Sequence, residues 1–482
     1  MNSLTIAWIA FPFLVGFIIV LIPSLARQLA LGAALTSIGY ATLTFAQPNP
    51  LSLTLLDNFG VTLVVDALSS YFILTNALVT VAVIIYCWQQ STKSAFFYAQ
   101  TIILHGSVNA AFVCTDFISL YVALEVISIA TFLLIAYPRS DRSIWVGLRY
   151  LFVSNVAMLL YLVGAVLVYR VHHSFTFAGL KGAPPEAAAL IFLGLLVKGG
   201  IFISGLWLPL THSESESPVS ALMSGVVVKA GVYPLARAAL VFAEIDPIVR
   251  GFGVCTALLG VLYAVFEKDT KRTLAFSTVS QLGFVLAAPE VGGFYALTHG
   301  LVKAALFLIA GILPSRSFKE LQQIAIAKPI WIALVIAAFS ISGFPMLSGF
   351  GAKVLTMENL APWQVIGMNI AAWGTAAVFA KFIFLPHKPA DQSQEKRSIG
   401  VGFWLAQVVL IGGLVAANLV YIEAYTVSNI VKPLVTIALG WLAYFLIIRR
   451  VSVKLPRMLE QFDHLIGMMS VVLVLLFWAV FA

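Results

Sequence analysis

Apolar residues run on for about twenty positions at a time along most of this chain, separated by short polar or basic interruptions. Neither the period of two of a half-buried strand nor the single stripe of a surface helix dominates. About 20 apolar residues are needed for a helix to cross a bilayer. On that measure the pattern predicts helices near 4–23, 29–46, 66–88, 95–113, 117–136, 143–169, 186–208 and 217–241. It continues near 248–266, 273–288, 292–313, 329–344 with a broken continuation to 360, 363–385, 399–421, 428–448 and 464–481. Leu51 to Val64 alternates and carries Asp57-Asn58-Phe59-Gly60, which reads as a short external hairpin rather than a span. The fold expected is an all-α polytopic membrane protein with about 14–16 transmembrane helices.

Composition agrees. The chain has 482 residues, 61% hydrophobic and 10% charged, against about 25% charged in a soluble domain. Its net charge of +8 reads as basic loops on one side of a membrane, with no nucleic-acid partner. Cys87, Cys114 and Cys255 form no CxxC pair and read as small core residues. MNSLTIAW lacks a basic n-region, so the first apolar run is expected to stay as a helix. Of the 28 Lys and Arg residues, 18 fall in odd-numbered loops, four in even-numbered loops and their flanks, and six inside spans. Positive charge faces the cytoplasm. Both termini are therefore expected on the outer face of a bacterial inner or thylakoid-type membrane.

The six lysines inside spans are Lys198, Lys229, Lys303, Lys353, Lys381 and Lys432. Each costs roughly 2.5–3.5 kcal/mol at mid-membrane depth on insertion scales, and such residues mark ion or proton paths. The seventh helix holds LVKGGIFISGLWLPL and the twelfth SGFPMLSGFGAKVL. Glycine and proline at that depth predict broken helices 7 and 12, tolerated where the backbone is buried or lines a cavity. Lys229 follows Lys198 by 31 residues and Lys381 follows Lys353 by 28. The spacing suggests two inverted five-helix repeats, 95–241 (helices 4–8) and 248–385 (helices 9–13), as alternating-access transporters use. An N-terminal part, 1–94, would carry helices 1–3 and the hairpin, and a C-terminal part, 386–482, the last helices.

Glu125 is an acid in mid-span whose natural partner is Lys198. Paired, the lysine would keep its proton; separated, it would release it. His299 lies four residues before Lys303, on the same helix face. Lys229, His299 and Lys303 would continue the line, with Lys353 as exit and Lys381 supported by the repeat. His105 and Asn155 carry weaker signals, and Lys432 can snorkel to the interface. His212-Ser213-Glu214-Ser215-Glu216-Ser217-Pro218 reads either as a polar loop with an N-cap at Ser217 or as a proton-uptake antenna through His212, Glu214 and Glu216. The cluster Glu267 to Arg272 reads as a solvated loop. No phosphate-binding glycine loop, metal-ligand cluster, haem or iron–sulfur ligand set is evident in the sequence, so neither cofactor nor catalytic site is expected.

LVKGGIFISGLWLPLTHSESESPVSALMSGVVVKAGVYPLAR, KDTKRTLAFSTVSQLGF, THGLVKAALFL and SGFPMLSGFGAK together resemble the antiporter-like subunits shared by respiratory complex I and Mrp-type cation/proton antiporters. The resemblance spans roughly residues 60–385. It implies a fourteen-helix core with inverted repeats and a proton path through Glu125, Lys198, Lys229, His299, Lys303 and Lys353. The loop reads LPLTHSESESP where many members have LPDAH. Only about 33 residues follow Arg449, which favours a shorter subunit type, especially the D-type Mrp subunit, over the largest complex I subunit. The function implied is proton translocation within a multisubunit Mrp-type Na⁺/H⁺ antiporter. The alternative is a proton-pumping subunit of a complex I-like NAD(P)H or ferredoxin:quinone oxidoreductase. Partners would be other membrane subunits, the lipid bilayer, protons and, as a candidate, Na⁺.

Overall fold

The computed structural model describes residues 1–55, 60–388, 400–451, 453 and 455–481. All sixteen apolar runs fall on helices, here numbered in chain order. Helices 1–6 are Asn2–Leu21, Ala26–Phe45, Ala67–Cys87, Ala95–Ala111, Phe117–Ile135 and Asp141–His172. Helix 7 is broken into Pro185–Gly199 and Phe202–Glu214, and helix 8 is Ser217–Val241. Helices 9–11 are Asp246–Phe266, Thr270–Ala287 and Gly292–Ala310. Helix 12 is broken into Lys328–Ser342 and Ser348–Glu358. Helices 13–16 are Val365–Ile383, Val401–Asn418, Val427–Ala443 and Phe462–Phe481. Among the described residues eleven helices are long and apolar enough to cross a membrane, or twelve with the bent helix 7. The chain is an integral membrane protein. Helix 4 is only 17 residues long, and helix 10 opens on Thr270-Lys271-Arg272 and carries further hydroxyls and Gln281.

The hairpin is present. Strand β1 (Leu51–Thr54) pairs antiparallel with β2 (Thr62–Val65); the expected turn residues Asp57, Asn58 and Phe59 lie outside the described residues.

Both breaks have the same local cause. The first arm of helix 7 ends on Gly200 at φ +67° and that of helix 12 on Gly343 at φ +85°. In this left-handed region a Cβ is penalised and glycine is favoured. Each break also holds a bulky residue there, Phe202 at φ +52° and Met346 at φ +78°. Such a conformation persists only where its surroundings fix it. The Phe202 N–H donates to Thr256 Oγ1 of helix 9 at 3.0 Å, and the Met346 N–H donates to Tyr425 Oη, just after helix 14, at 2.8 Å. The arms of helix 7 are bent by 41°.

The breaks match in form but their lysines do not match in position. Lys198 precedes its glycine cap, whereas Lys353 sits on the arm after the break.

Glycine contacts set the packing between the central helices, as small residues do where helices must approach closely. A Cβ on Gly231 of helix 8 would fall 2.7 Å from Gly199 Cα of helix 7. One on Gly300 of helix 11 would fall 3.0 Å from the Gly225 carbonyl of helix 8. These contacts lie next to Lys198, Lys229 and His299. Of the cysteines, Cys87 and Cys114 are buried as expected, but Cys255 is exposed.

Candidate functional site

Helices 5, 7, 8, 10, 11 and 12 bring most of the sequence candidates into the interior. Lys198 is 6% exposed. Its Nζ donates to Ser128 Oγ and, at 3.1 Å, to the Leu124 carbonyl. Those residues flank Glu125 on helix 5, so Lys198 reaches the right helix face. The expected carboxylate–ammonium pair is nevertheless not formed: Glu125 Oε1 is buried and accepts no hydrogen bond among the described residues. The serine hydroxyl one turn away takes the ammonium instead.

Lys229 is fully buried at the end of a π-turn, Met223–Val227, inside helix 8. π-Turns of this kind are frequent at functional sites. Its Nζ donates to the Ser224 carbonyl at 3.2 Å and lies 3.1 Å from His299 Nδ1. An ammonium there donates to a bare Nδ1, which places the imidazole proton on Nε2. That Nε2 is buried and has no partner among the described residues. Moving the lysine proton onto Nδ1 gives a neutral amine and an imidazolium, so the contact can pass a proton with almost no movement of heavy atoms.

Lys303, also fully buried, donates to the Leu274 carbonyl at 3.0 Å and lies over the Phe379 ring. The same carbonyl accepts from Thr278 Oγ1 at 2.9 Å, and Thr278 Oγ1 is 2.7 Å from Ser224 Oγ. Ser224 and Thr278 thus join the Lys229 and Lys303 sites through hydrogen bonds between helices 8 and 10. Sequence reasoning missed both hydroxyls. The π-turn that directs Ser224 is not visible in hydropathy, and the spacing of Thr278 from Lys271 or Lys303 carries no signal.

Lys353 Nζ is buried, faces the Phe284 ring and has no hydrogen-bond partner among the described residues. A Cβ on Gly343 would lie 2.9 Å from Lys353 Cδ, so the cap glycine also makes room for this side chain. Lys353 lines a cavity of about 290 Å³ with Ser342, Glu358, Asn369, Asn429 and Lys432. Lys432 is therefore part of a shared cavity and not simply a snorkelling residue.

Other candidates are placed differently from expectation. Lys381 donates to the carbonyls of Ala264, Val265 and Glu267 at 2.8, 3.2 and 2.8 Å. All three of its protons cap the end of helix 9, a structural post for a cation at a helix C-terminus. His212 does not line an open loop. It lies on the second arm of helix 7, fully buried and stacked on Phe307 at 4.7 Å. Helix 8 is N-capped by Glu216, with Ser217 already helical. Glu214 meets Arg142 at 3.5 Å, and Glu216 pairs with the buried Lys93. Nor is the Glu267 to Arg272 cluster a solvated loop: Arg272 bonds Glu267 at 3.0 Å and Glu460 at 2.6 Å, and Lys271 donates to the Ser215 carbonyl. Asn155 is exposed on helix 6. His105 lies in a separate cluster among helices 2–4. No group of three or more candidate metal ligands occurs among the described residues.

Known proteins share this architecture. The chain is 28% identical over 456 residues to the D-type subunit of the Na(+)/H(+) antiporter of Alkalihalophilus pseudofirmus, covering 85% of this chain and 92% of that protein. It is 29% identical to the N-type subunit of the NADH-quinone oxidoreductase of Desulforudis audaxviator, covering 71% of this chain and 77% of that one. The fold is also that of a chain in the Mrp complex from Dietzia sp. DQ12-45-1b, with a TM-score of 0.74, 20% identity, 96% of this chain and 100% of that chain covered. A chain of the archaeal membrane-bound sulfane sulfur reductase superposes with a TM-score of 0.73 at 20% identity, over 91% and 99% of the two chains. The family model described as NADH:quinone oxidoreductase/Mrp antiporter, TM matches residues 114–380, which takes in Glu125, the lysine–histidine contact and both broken helices, and the chain belongs to that family.

Proposed function

We propose that this chain is the proton-translocating membrane subunit of a multisubunit Mrp-type cation/proton antiporter, working beside other membrane subunits. The observation that carries the reading is the buried Lys229–His299 contact, 3.1 Å long, with the far imidazole nitrogen unpartnered among the described residues. Buried polar groups are ordinarily satisfied, so the open nitrogen beside a buried lysine calls for an explanation.

The route runs from Glu125 and Lys198 through Lys229 and His299 to Lys303, then to Lys353 and its cavity. The Glu125–Lys198 pair acts as the switch. In the arrangement described, Lys198 rests on Ser128 and the Leu124 carbonyl, parted from Glu125. Swinging the ammonium to the carboxylate would favour its charged form, and parting them again would favour release. The cavity beside Lys353 supports its assignment as exit. Lys381 is left off the route because its protons are held by carbonyls, whereas His212, stacked on Phe307 with neither ring nitrogen partnered among the described residues, keeps a candidate role in proton uptake. Glu214 and Glu216, both partly exposed, keep a candidate role in proton uptake. The loop charges support termini on the outer face, and the two matching breaks support inverted repeats 95–241 and 248–385.

Two measurements test this. In proteoliposomes of the assembled complex, Glu125→Ala or Lys198→Ala abolishes proton flux while subunit composition stays intact; undiminished flux in either variant contradicts the route. Mild extraction through a C-terminal tag yields small hydrophobic partners with no visible redox absorbance. Stoichiometric iron–sulfur subunits would instead place the same channel in a complex I-like quinone oxidoreductase.

A further inference from the structure

A cavity of about 440 Å³ opens between the ends of helices 9, 13 and 15. Its inner wall is apolar and aromatic, with Phe266, Phe318 and Tyr444. Its rim carries Lys268, Lys319 and Arg449, all exposed. None of these three cations has an ion pair among the described residues. The nearby carboxylates are already engaged: Glu267 with Arg272 and Arg457, Asp269 with Arg316 at 2.9 Å, and Glu320 with the Ser315 hydroxyl. Lys381 at the back wall is held by helix 9 carbonyls. Glu267 also lines the cavity, but its carboxylate is paired with Arg272, so the mouth of this largely apolar pocket carries an excess of positive charge.

Helix 15 and the π-turn Tyr444–Ile448 that continues it lead into the cavity and present Leu442, Phe445, Leu446 and Ile447 outward, 54%, 38%, 52% and 56% exposed. A free anion such as phosphate would satisfy the rim alone. A phospholipid satisfies both features, with its headgroup phosphate among the cations and its acyl chains along helix 15. Basic pockets between helix ends are suited to anionic headgroups.

We infer that this cavity is a binding site for the headgroup of an anionic phospholipid, held by Lys268, Lys319 and Arg449. The inference does not depend on which ion the chain transports.

Native mass spectrometry of the detergent-extracted assembly tests it, with dioctanoyl phosphatidylglycerol, dioctanoyl phosphatidylcholine and inorganic phosphate as probes. The phosphatidylglycerol adduct should exceed the phosphatidylcholine adduct. It should fall by about five-fold for each of Lys268→Gln, Lys319→Gln and Arg449→Gln, the effect of one cation near an anionic surface. Inorganic phosphate at the same concentration should leave it in place. The three side chains are exposed, so the variants should assemble, and subunit stoichiometry in the same spectra checks this. Equal adducts with both lipids, an adduct that survives the triple substitution, or displacement by phosphate would each overturn the assignment. So would a cross-link from Lys319→Cys to an acidic segment of a partner subunit, which would show the cavity already filled by protein.

Discussion

His105 and His299 are both inside the bundle, 1% and 2% exposed, yet their surroundings differ in kind. His105 Nε2 accepts from Ser37 at 2.8 Å and from Asn109 Nδ2 at 3.1 Å, leaving Nδ1 to donate to Thr80 Oγ1 at 3.3 Å. Thr80 donates to Asn76 Oδ1, Asn76 donates to Asn109 Oδ1 and the His105 carbonyl, and Trp8 Nε1 donates to Ser37. Every donor meets an acceptor with the ring neutral, so a further proton would have to break a bond already made. His299 has one nitrogen on Lys229 and the other without a partner among the described residues. Glu125 Oε1 and Lys353 Nζ on the same proposed route are likewise buried without partners among the described residues. Burial is common to the two histidines; what separates them is an open valence, which His299 has among the described residues and His105 lacks. Unsatisfied buried groups in a native structure call for an explanation.

The sharpest way to break this contrast is at the open end. Lys229→Ala should lower proton flux by about 100-fold or more, the scale of losing a positioned acid–base group, with the melting temperature of the assembly changed little. Lys353→Ala should also stop flux, while Lys353→Glu keeps a fraction of it because a carboxyl can carry the proton there; a wild-type rate for Lys353→Ala removes it from the route. At the closed end the effects should reverse. Asn76→Ala strands partners in the His105 network and should destabilise by about 1–3 kcal/mol, read as a lower melting temperature with flux per assembled complex unchanged.

The smallest effect concerns the C-terminal connection before helix 16, where Glu460 and Arg457 reach Arg272 and Glu267. Burial pushes the Glu267 carboxyl up, but the Arg272 charge and hydrogen bond and the N–H groups of Lys268 and Asp269 outweigh it and hold it below its ordinary value of 4.5. A carboxyl held low contributes stability that is fully present above that ordinary value and is lost as pH falls through the lower, folded one. Thermal melts should therefore be flat with respect to this group from pH 7 to pH 5, and should drop in more acid buffer. Glu267→Gln should remove that acid-dependent drop and lower the neutral-pH melting temperature by a few degrees, leaving flux intact.

Much of this was legible in the chain. Long apolar runs marked the helices, and Gly200 and Gly343 announced the breaks because glycine takes their left-handed backbone angles at the least cost. Lysines at membrane depth pointed to the axis for the same reason: they are too costly to be idle. Hydropathy does not record how helices are rotated against one another, and the misses come from there. The Gly225–Gly300 contact decides that Lys229 meets His299, and a π-turn decides that Ser224 meets Thr278. Lys381 looked like Lys229 in sequence, but its position one turn from the end of its helix delivers it to the carbonyl end of helix 9. His212 looked like part of an open polar loop because Ser and Glu surround it, yet helix 7 resumes there and turns it onto Phe307.

The deciding experiment is to reconstitute His299→Ala and His105→Ala side by side and measure proton flux per assembled complex together with thermal stability. His299→Ala should lose flux and keep its melting temperature, while His105→Ala should melt earlier and keep its flux. Normal flux through His299→Ala, or lost flux in a fully assembled His105→Ala, would show that the open valence at His299 is not what moves the proton.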